Sequence, residues 1–83
     1  MRMNVAHVLM YSRQGCHLCD EAREVIEALR AQGPFEFEEV FIDGNDDLER
    51  DYGVRLPVVL VDGREEFEYR VEGEALRGLL TRR

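Results

Sequence analysis

Prolines are scarce in this 83-residue chain, with two, and so are cysteines, also two. With 45% hydrophobic residues and so little proline, disorder is excluded as the general state. Long apolar runs are missing as well. The one run within Met1 to Met10 is far too short to cross a bilayer and has neither the flanks nor the cleavage site of a signal peptide, so a cytoplasmic location is expected. There is no basic patch: the net charge is −7 and the acids are spread throughout, which disfavours nucleic acid and anionic membrane as partners. Arg82 and Arg83 form a short basic end that reads as solubilising or helix-capping. No internal repeat, low-complexity segment or linker interrupts the chain. Its length suits one compact domain, residues 1–83. In the cytoplasm thiols are kept reduced, so two cysteines read as a catalytic or metal-binding pair rather than a structural staple.

Both cysteines fall in Tyr11-Ser12-Arg13-Gln14-Gly15-Cys16-His17-Leu18-Cys19-Asp20-Glu21, where an apolar run ends and a helical pattern begins. If Cys16 opens that helix, Cys19 lies roughly 4.5 Å further along the axis on nearly the same face, a spacing that permits a reversible disulfide. A Cys-x-x-Cys pair after a strand and at a helix start is the arrangement of a thiol redox site. The first amide N–H groups of a helix lack intrahelical acceptors and carry about half a positive charge, which stabilises a thiolate. Such cysteines titrate from about 3.5 to 7.5 instead of near 8.5. Cys16, the more N-terminal thiol, is therefore the expected attacking group. Arg13 and protonated His17 add to the effect, while Asp20 and Glu21 oppose it, so moderate activation is expected.

The remaining elements follow from pattern. Val5 to Tyr11 is almost continuously apolar, as in a central strand covered on both faces, with His7 read as a structural residue. Gly15 allows the turn before Cys16. Leu18, Ala22, Val25, Ile26 and Leu29 recur at helical spacing, and Gly33-Pro34 ends that helix, the glycine as a left-handed cap. Phe35 to Ile42 reads as an edge strand in a parallel crossover, with Glu38 and Glu39 breaking its alternation. Asn45 caps a short helix bearing Leu48 and Tyr52 and ending at Gly53. The acids Asp43, Asp46 and Asp47 lack the ordered positions of a calcium loop. The stretch Val54 to Val61 reads as an apolar strand that begins at Pro57, Asp62-Gly63 turns tightly, and Glu66 to Arg70 pairs with it. Glu74 to Thr81 closes the chain as an amphipathic helix. The order is βαβαββα, an α/β domain.

Tyr11-Ser12-Arg13, Gly15-Cys16-His17-Leu18-Cys19, Tyr52-Gly53-Val54-Arg55-Leu56-Pro57-Val58 and Asp62-Gly63, in that order, resemble a small glutaredoxin-like domain of the thioredoxin superfamily, of the bacterial type with Cys-His-Leu-Cys. The resemblance implies a thioredoxin-like fold, a four-stranded mixed sheet flanked by three helices. It also implies a cis Pro57 facing the dithiol, with the Leu56 backbone offered to an extended thiol peptide. The candidate substrate-binding residues are Tyr11, Arg13, His17, Arg55, Leu56, Pro57 and Gly73. Two places depart from the family pattern: Arg55 replaces a threonine, and Val71-Glu72-Gly73-Glu74 replaces a Gly-Gly pair followed by a small polar or acidic residue. The usual pocket for a glutathione carboxylate is thereby altered, with Arg55 and Arg13 as candidate replacements.

These features point to a thiol–disulfide oxidoreductase acting through Cys16 and Cys19 on a disulfide-containing protein or a small thiol substrate, with no bound cofactor. Glutathione or a reductase system would supply electrons. The chain is expected to act as a monomer. Two alternatives belong to other classes: a metal or iron–sulfur carrier completed by a second chain in a dimer, and a non-catalytic thioredoxin-like binding module. A closed zinc site in one chain is disfavoured, because only His7 and His17 could join the two cysteines and His17 lies between them.

Overall fold

A computed structural model describes residues 5–81; Arg82, Arg83 and the start of the Met1 to Met10 run lie outside the described residues. The elements are β1 (His7–Ser12), α1 (His17–Arg30), β2 (Glu36–Phe41), α2 (Asp46–Tyr52), β3 (Val58–Val61), β4 (Arg64–Glu68) and α3 (Gly73–Thr81). The strands form one four-stranded sheet in the order β2-β1-β3-β4. β1 pairs in parallel with β2 across α1, and antiparallel with β3, which pairs antiparallel with β4. β1 is thus hydrogen-bonded along both edges, as its apolar character requires. Val8, Met10 and Ser12 are fully buried on one face, while His7, Leu9 and Tyr11 are half-buried on the other. Ala22, Ile26 and Leu29 of α1, Phe35, Ile42, Val59 and Leu76 join Val8 and Met10 in the core.

Local chemistry sets the element ends. The Asn45 side chain accepts the Leu48 N–H at 3.0 Å, capping α2 as its sequence implies. Asp62 and Gly63 take φ of 52° and 85°, the paired positive values of a tight hairpin turn whose twist matches the strands.

Four expectations shift. Leu18 is not part of the buried stripe: it is 43% exposed, and α1 buries Cys19, Ala22, Ile26 and Leu29. Cys19 takes the inward position because the stripe steps back from Ala22 by three residues. Gly33 does not form a left-handed cap. The helix ends at Arg30, with Ala31 as a right-handed C-cap whose N–H reaches the Glu27 carbonyl at 3.1 Å. β1 begins two residues later than Val5 and runs on to Ser12, because its parallel register matches His7 to Glu36 and Ser12 to Phe41. β4 spans Arg64–Glu68 rather than Glu66 to Arg70, since a two-residue turn places Arg64 directly opposite Val61, and the positive φ of Tyr69 ends the strand.

The break in alternation at Glu38-Glu39 also has a cause. Glu39 is drawn inward, its side chain 16% exposed, to bind two elements at once. Its carboxylate accepts from Ser12 Oγ at 2.7 Å, from Arg23 Nε at 2.7 Å and from Arg23 Nη2 at 2.6 Å. Arg23 also reaches Asp20 at 2.9 Å. The network pins α1 to the ends of β1 and β2. Arg23 hydrogen bonds hold the Glu39 carboxyl below its ordinary value of 4.5; burial opposes them and the Ser12 hydroxyl assists them. A carboxyl whose value is depressed on folding contributes stability that is complete above its unfolded value and is lost as the pH falls through the folded one. Glu39→Gln is accordingly expected to cost about 1–3 kcal/mol near neutral pH. In urea titrations its deficit relative to the unmodified protein should shrink as the pH drops below 4.5; a pH-independent deficit would contradict the ionic role.

Candidate functional site

β1 ends at fully buried Ser12, and the chain then turns sharply. The Gln14 N–H donates to Asp43 at 3.2 Å, Gly15 takes φ of +76°, and the Cys16 N–H closes the turn on the Arg13 carbonyl at 3.3 Å. A residue with a side chain would resist the Gly15 conformation. Cys16 follows in extended conformation as the N-cap of α1, and its sulfur accepts the Cys19 N–H at 3.1 Å. Sulfur here fills the place that a Ser, Thr or Asp oxygen takes at most helix starts. Cys16 and Cys19 are joined as a disulfide with their α-carbons 5.2 Å apart. Cys19 is fully buried in the core, whereas Cys16 is half-exposed at its margin.

The other candidate residues fall into two groups. Tyr11 and Arg13 are tied to α2 and the loop from α2 to β3 through Tyr52, Glu49 and Gly53, and that loop carries Arg55, Leu56 and Pro57. The register of Tyr11 with Val58 carries Pro57 to the level of Ser12, where the dithiol turn departs. The Leu56–Pro57 peptide bond is cis, and both residues are buried. The Tyr11 and Tyr52 rings stack with centroids 4.2 Å apart. Burial, then the Tyr11 and Glu65 charges, hold the Tyr52 phenol above its ordinary value, so it stays neutral. His17 and Gly73 stand apart from this group. His17 is exposed on the first turn of α1, and Gly73 opens α3 close to Val25. Beside them Leu18, Glu21, Ala22, Val25, Arg70 and Val71 line a groove of about 110 Å³.

The arginines are already engaged. Arg13 forms an ion pair with Glu49 and donates to the Gly53 carbonyl at 3.3 Å, while Asp20 takes its cation from Arg23. A side chain at Gly53 would collide with the Glu49 carbonyl and crowd the Arg13 guanidinium. Arg55 lies 5.3 Å above the Tyr52 ring and binds Glu65 at 3.0 Å, Glu68 at 3.5 Å and the Asp51 carbonyl at 3.1 Å. Its guanidinium is held above the usual arginine value, chiefly by the Glu65 hydrogen bond. Glu49, Tyr52 and Glu39 are site-supporting residues that pattern alone did not single out. Tyr52 sits inside the Tyr-Gly-Val-x-x-Pro block and was the most accessible to inference. His7 is remote, its imidazole 3.4 Å from Glu38. Among the described residues, no cluster of three or more His, Cys, Asp or Glu is arranged to hold a metal ion.

A mixed sheet with β1 at its centre, three helices, a Cys-x-x-Cys pair at the start of α1 and a cis proline ahead of β3 define a thioredoxin-like α/β domain with a thiol–disulfide redox pair. The chain belongs to the glutaredoxin-like domain family (DUF836), whose model matches residues 7–81. It is 30% identical to protein Ne2328 from Nitrosomonas europaea, whose solution structure superposes with a TM-score of 0.82 over 98% of each chain. It is 38% identical to protein XcR50 from X. campestris, with a TM-score of 0.74 over 92% of this chain and 97% of that one. Fasciola hepatica thioredoxin is similar at 29% identity and a TM-score of 0.62, over 94% of this chain and 80% of the thioredoxin.

The unequal burial of the two cysteines has a chemical consequence once the disulfide is reduced. Limiting iodoacetamide is expected to label Cys16 and spare Cys19, read by peptide mass spectrometry. Preferential labelling of Cys19 would contradict the geometry.

Proposed function

We propose that this protein is a thiol–disulfide oxidoreductase that reduces a protein or low-molecular-weight disulfide. The observation that carries the reading is the Cys16–Cys19 pair itself: a partly buried cysteine at a helix start, disulfide-bonded to a fully buried one. In the reduced protein the Cys16 thiolate is stabilised by the amides of the first turn of α1, the Cys19 N–H among them. It attacks one sulfur of the substrate disulfide, forming a mixed disulfide and expelling the other sulfur as a thiolate. Cys19, deprotonated, then attacks the Cys16 sulfur and expels the second substrate thiolate, leaving the Cys16–Cys19 bond. The substrate disulfide has gained two electrons and the dithiol has lost them.

Two molecules of glutathione, or one dithiol of a reductase system, reopen the bond and are themselves oxidised to a disulfide. The setting we propose is the cytoplasm, where cellular thiols supply those electrons, and the acting unit is a monomer. In this reading Leu56 and Pro57, which the β1–β3 register brings level with Ser12, offer the Leu56 backbone to an extended segment of the substrate. Tyr11 and Arg13 support that border from beneath, and Arg55 from the β4 side. His17, exposed beside the attacking sulfur, faces the incoming substrate.

The test follows the two roles. Cys19→Ser is expected to accumulate a Cys16-linked mixed disulfide with a peptide disulfide, visible by mass. Cys16→Ser should lower disulfide reduction to the uncatalysed rate; retention of full activity by Cys16→Ser would exclude the assignment. Turnover measured with glutathione, then with a thioredoxin reductase system, identifies the electron donor.

A further inference from the structure

Tyr69, the residue after β4, has φ of +72°, a conformation that a bulky side chain rarely takes. The Arg70 N–H donates to the Glu68 carbonyl at 2.8 Å, closing a three-residue γ-turn centred on Tyr69 in its uncommon positive-φ form. Glycine would hold such a turn without steric cost. The presence of tyrosine is explained by what its two ends grip. Its N–H donates to the Pro57 carbonyl at 2.9 Å, and its Oη donates to the Val54 carbonyl at 3.0 Å.

Those two acceptors bracket Val54-Arg55-Leu56-Pro57, the segment that leads from α2 into β3. The segment has little packing of its own at its outer end, where Val54 is 86% exposed. Leu56 and Pro57 are buried at its inner end, and hydrogen bonds add to that hold: Tyr69 at both ends, and in the middle Arg55, bound to Glu65 and Glu68 of β4. Unusual backbone conformations persist where surrounding structure over-determines them, and they gather at ligand clamps.

We propose that Tyr69 is a positioning residue, clamping the Val54–Pro57 segment so that its main chain meets an extended polypeptide disulfide. The proposal rests on the oxidoreductase reading above and deepens it by naming the substrate class. A small disulfide needs only the Cys16 sulfur, whereas a polypeptide also needs the Leu56 main chain in a fixed place. Tyr69 therefore governs polypeptide recognition and leaves the sulfur chemistry untouched.

Insulin and bis(2-hydroxyethyl) disulfide serve as the polypeptide and small probes, with dithiothreitol as donor. Tyr69→Phe, which removes only the Oη grip, is expected to raise KM for insulin about fivefold with kcat unchanged, the loss of one neutral hydrogen bond. Reduction of bis(2-hydroxyethyl) disulfide and alkylation of reduced Cys16 should keep their rates. The Arg55 amide, bonded to the Tyr52 carbonyl at 2.9 Å, should exchange its hydrogen about fivefold faster. Tyr69→Gly, which accepts the positive φ, should match Tyr69→Phe in KM. An unchanged insulin KM in an active Tyr69→Phe protein overturns the clamp, as does a parallel fall on both disulfides. So does a defect seen in Tyr69→Gly but not in Tyr69→Phe, because packing of the ring would then be responsible. If the unmodified protein reduces neither probe, the oxidoreductase reading fails, and with it the substrate class. Arg55 exchange then decides the clamp alone: acceleration in Tyr69→Phe upholds it and no change overturns it.

Discussion

One sulfur atom both ends a turn and starts a helix, and the organisation of the site depends on that double use. Cys16 Sγ accepts the Cys19 N–H, so the atom that caps α1 is the same atom that a substrate disulfide would meet. Ordinary helix caps use an oxygen, which satisfies the amide and does nothing more. With sulfur in that place, the field of the first turn falls on a member of the redox pair. The helix start must then be fixed against the sheet, and it is. Ser12, Glu39 and Arg23 connect β1, β2 and α1 close to the dithiol turn. Arg23 follows Cys19 by four residues, so the anchor lies one helical turn along the same helix.

Charge around the dithiol is settled locally. Arg23 is neutralised by Asp20 and Glu39, Arg13 by Glu49, and Arg55 by Glu65 and Glu68. Each guanidinium next to the site therefore joins structural elements instead of standing free for an anionic thiol. What remains to favour a thiolate at Cys16 is chiefly the set of backbone amides, whose effect fades within a turn of the helix. A net charge of −7 does not cancel it, because at physiological salt distant carboxylates are screened beyond about 8 Å.

Features carried by near neighbours in the chain were legible in the sequence. Asn45 caps α2 because the N–H that it accepts is three residues away, and Asp62-Gly63 turns the hairpin because both residues tolerate positive φ. The parallel crossover and the central place of β1 followed from an apolar run that needs cover on both sides. Contacts between distant positions were hidden. Arg13 and Glu49 are 36 residues apart, Ser12 and Glu39 are 27 apart, and nothing near Arg13 shows that its partner lies on α2 instead of at Asp20. The exchange of Leu18 for Cys19 on the buried face was hidden for another reason: cysteine was read for its chemistry, although it also packs as a small apolar residue. The two-residue shift of β4 came from Arg64 and Glu65, charged residues that look like loop but occupy an exposed edge strand, where charge guards against unwanted pairing.

Two loops from neighbouring antiparallel strands meet at the site, and they are held from opposite sides. The dithiol turn leaves β1 and is fixed by α1 and β2; the Val54–Pro57 segment enters β3 and is fixed by β4 and by the γ-turn at Tyr69. Arg13 spans the gap between them, gripping Glu49 and the Gly53 carbonyl, and the Tyr11–Tyr52 stack lies along the same seam. Each loop thus has hydrogen bonds of its own, and Arg13 joins the two. The register of β1 on β3 is common to both. A change that slips this register would flip every side chain on the central strands to the wrong face, so the placement of the dithiol turn relative to the Val54–Pro57 segment is protected by the core itself.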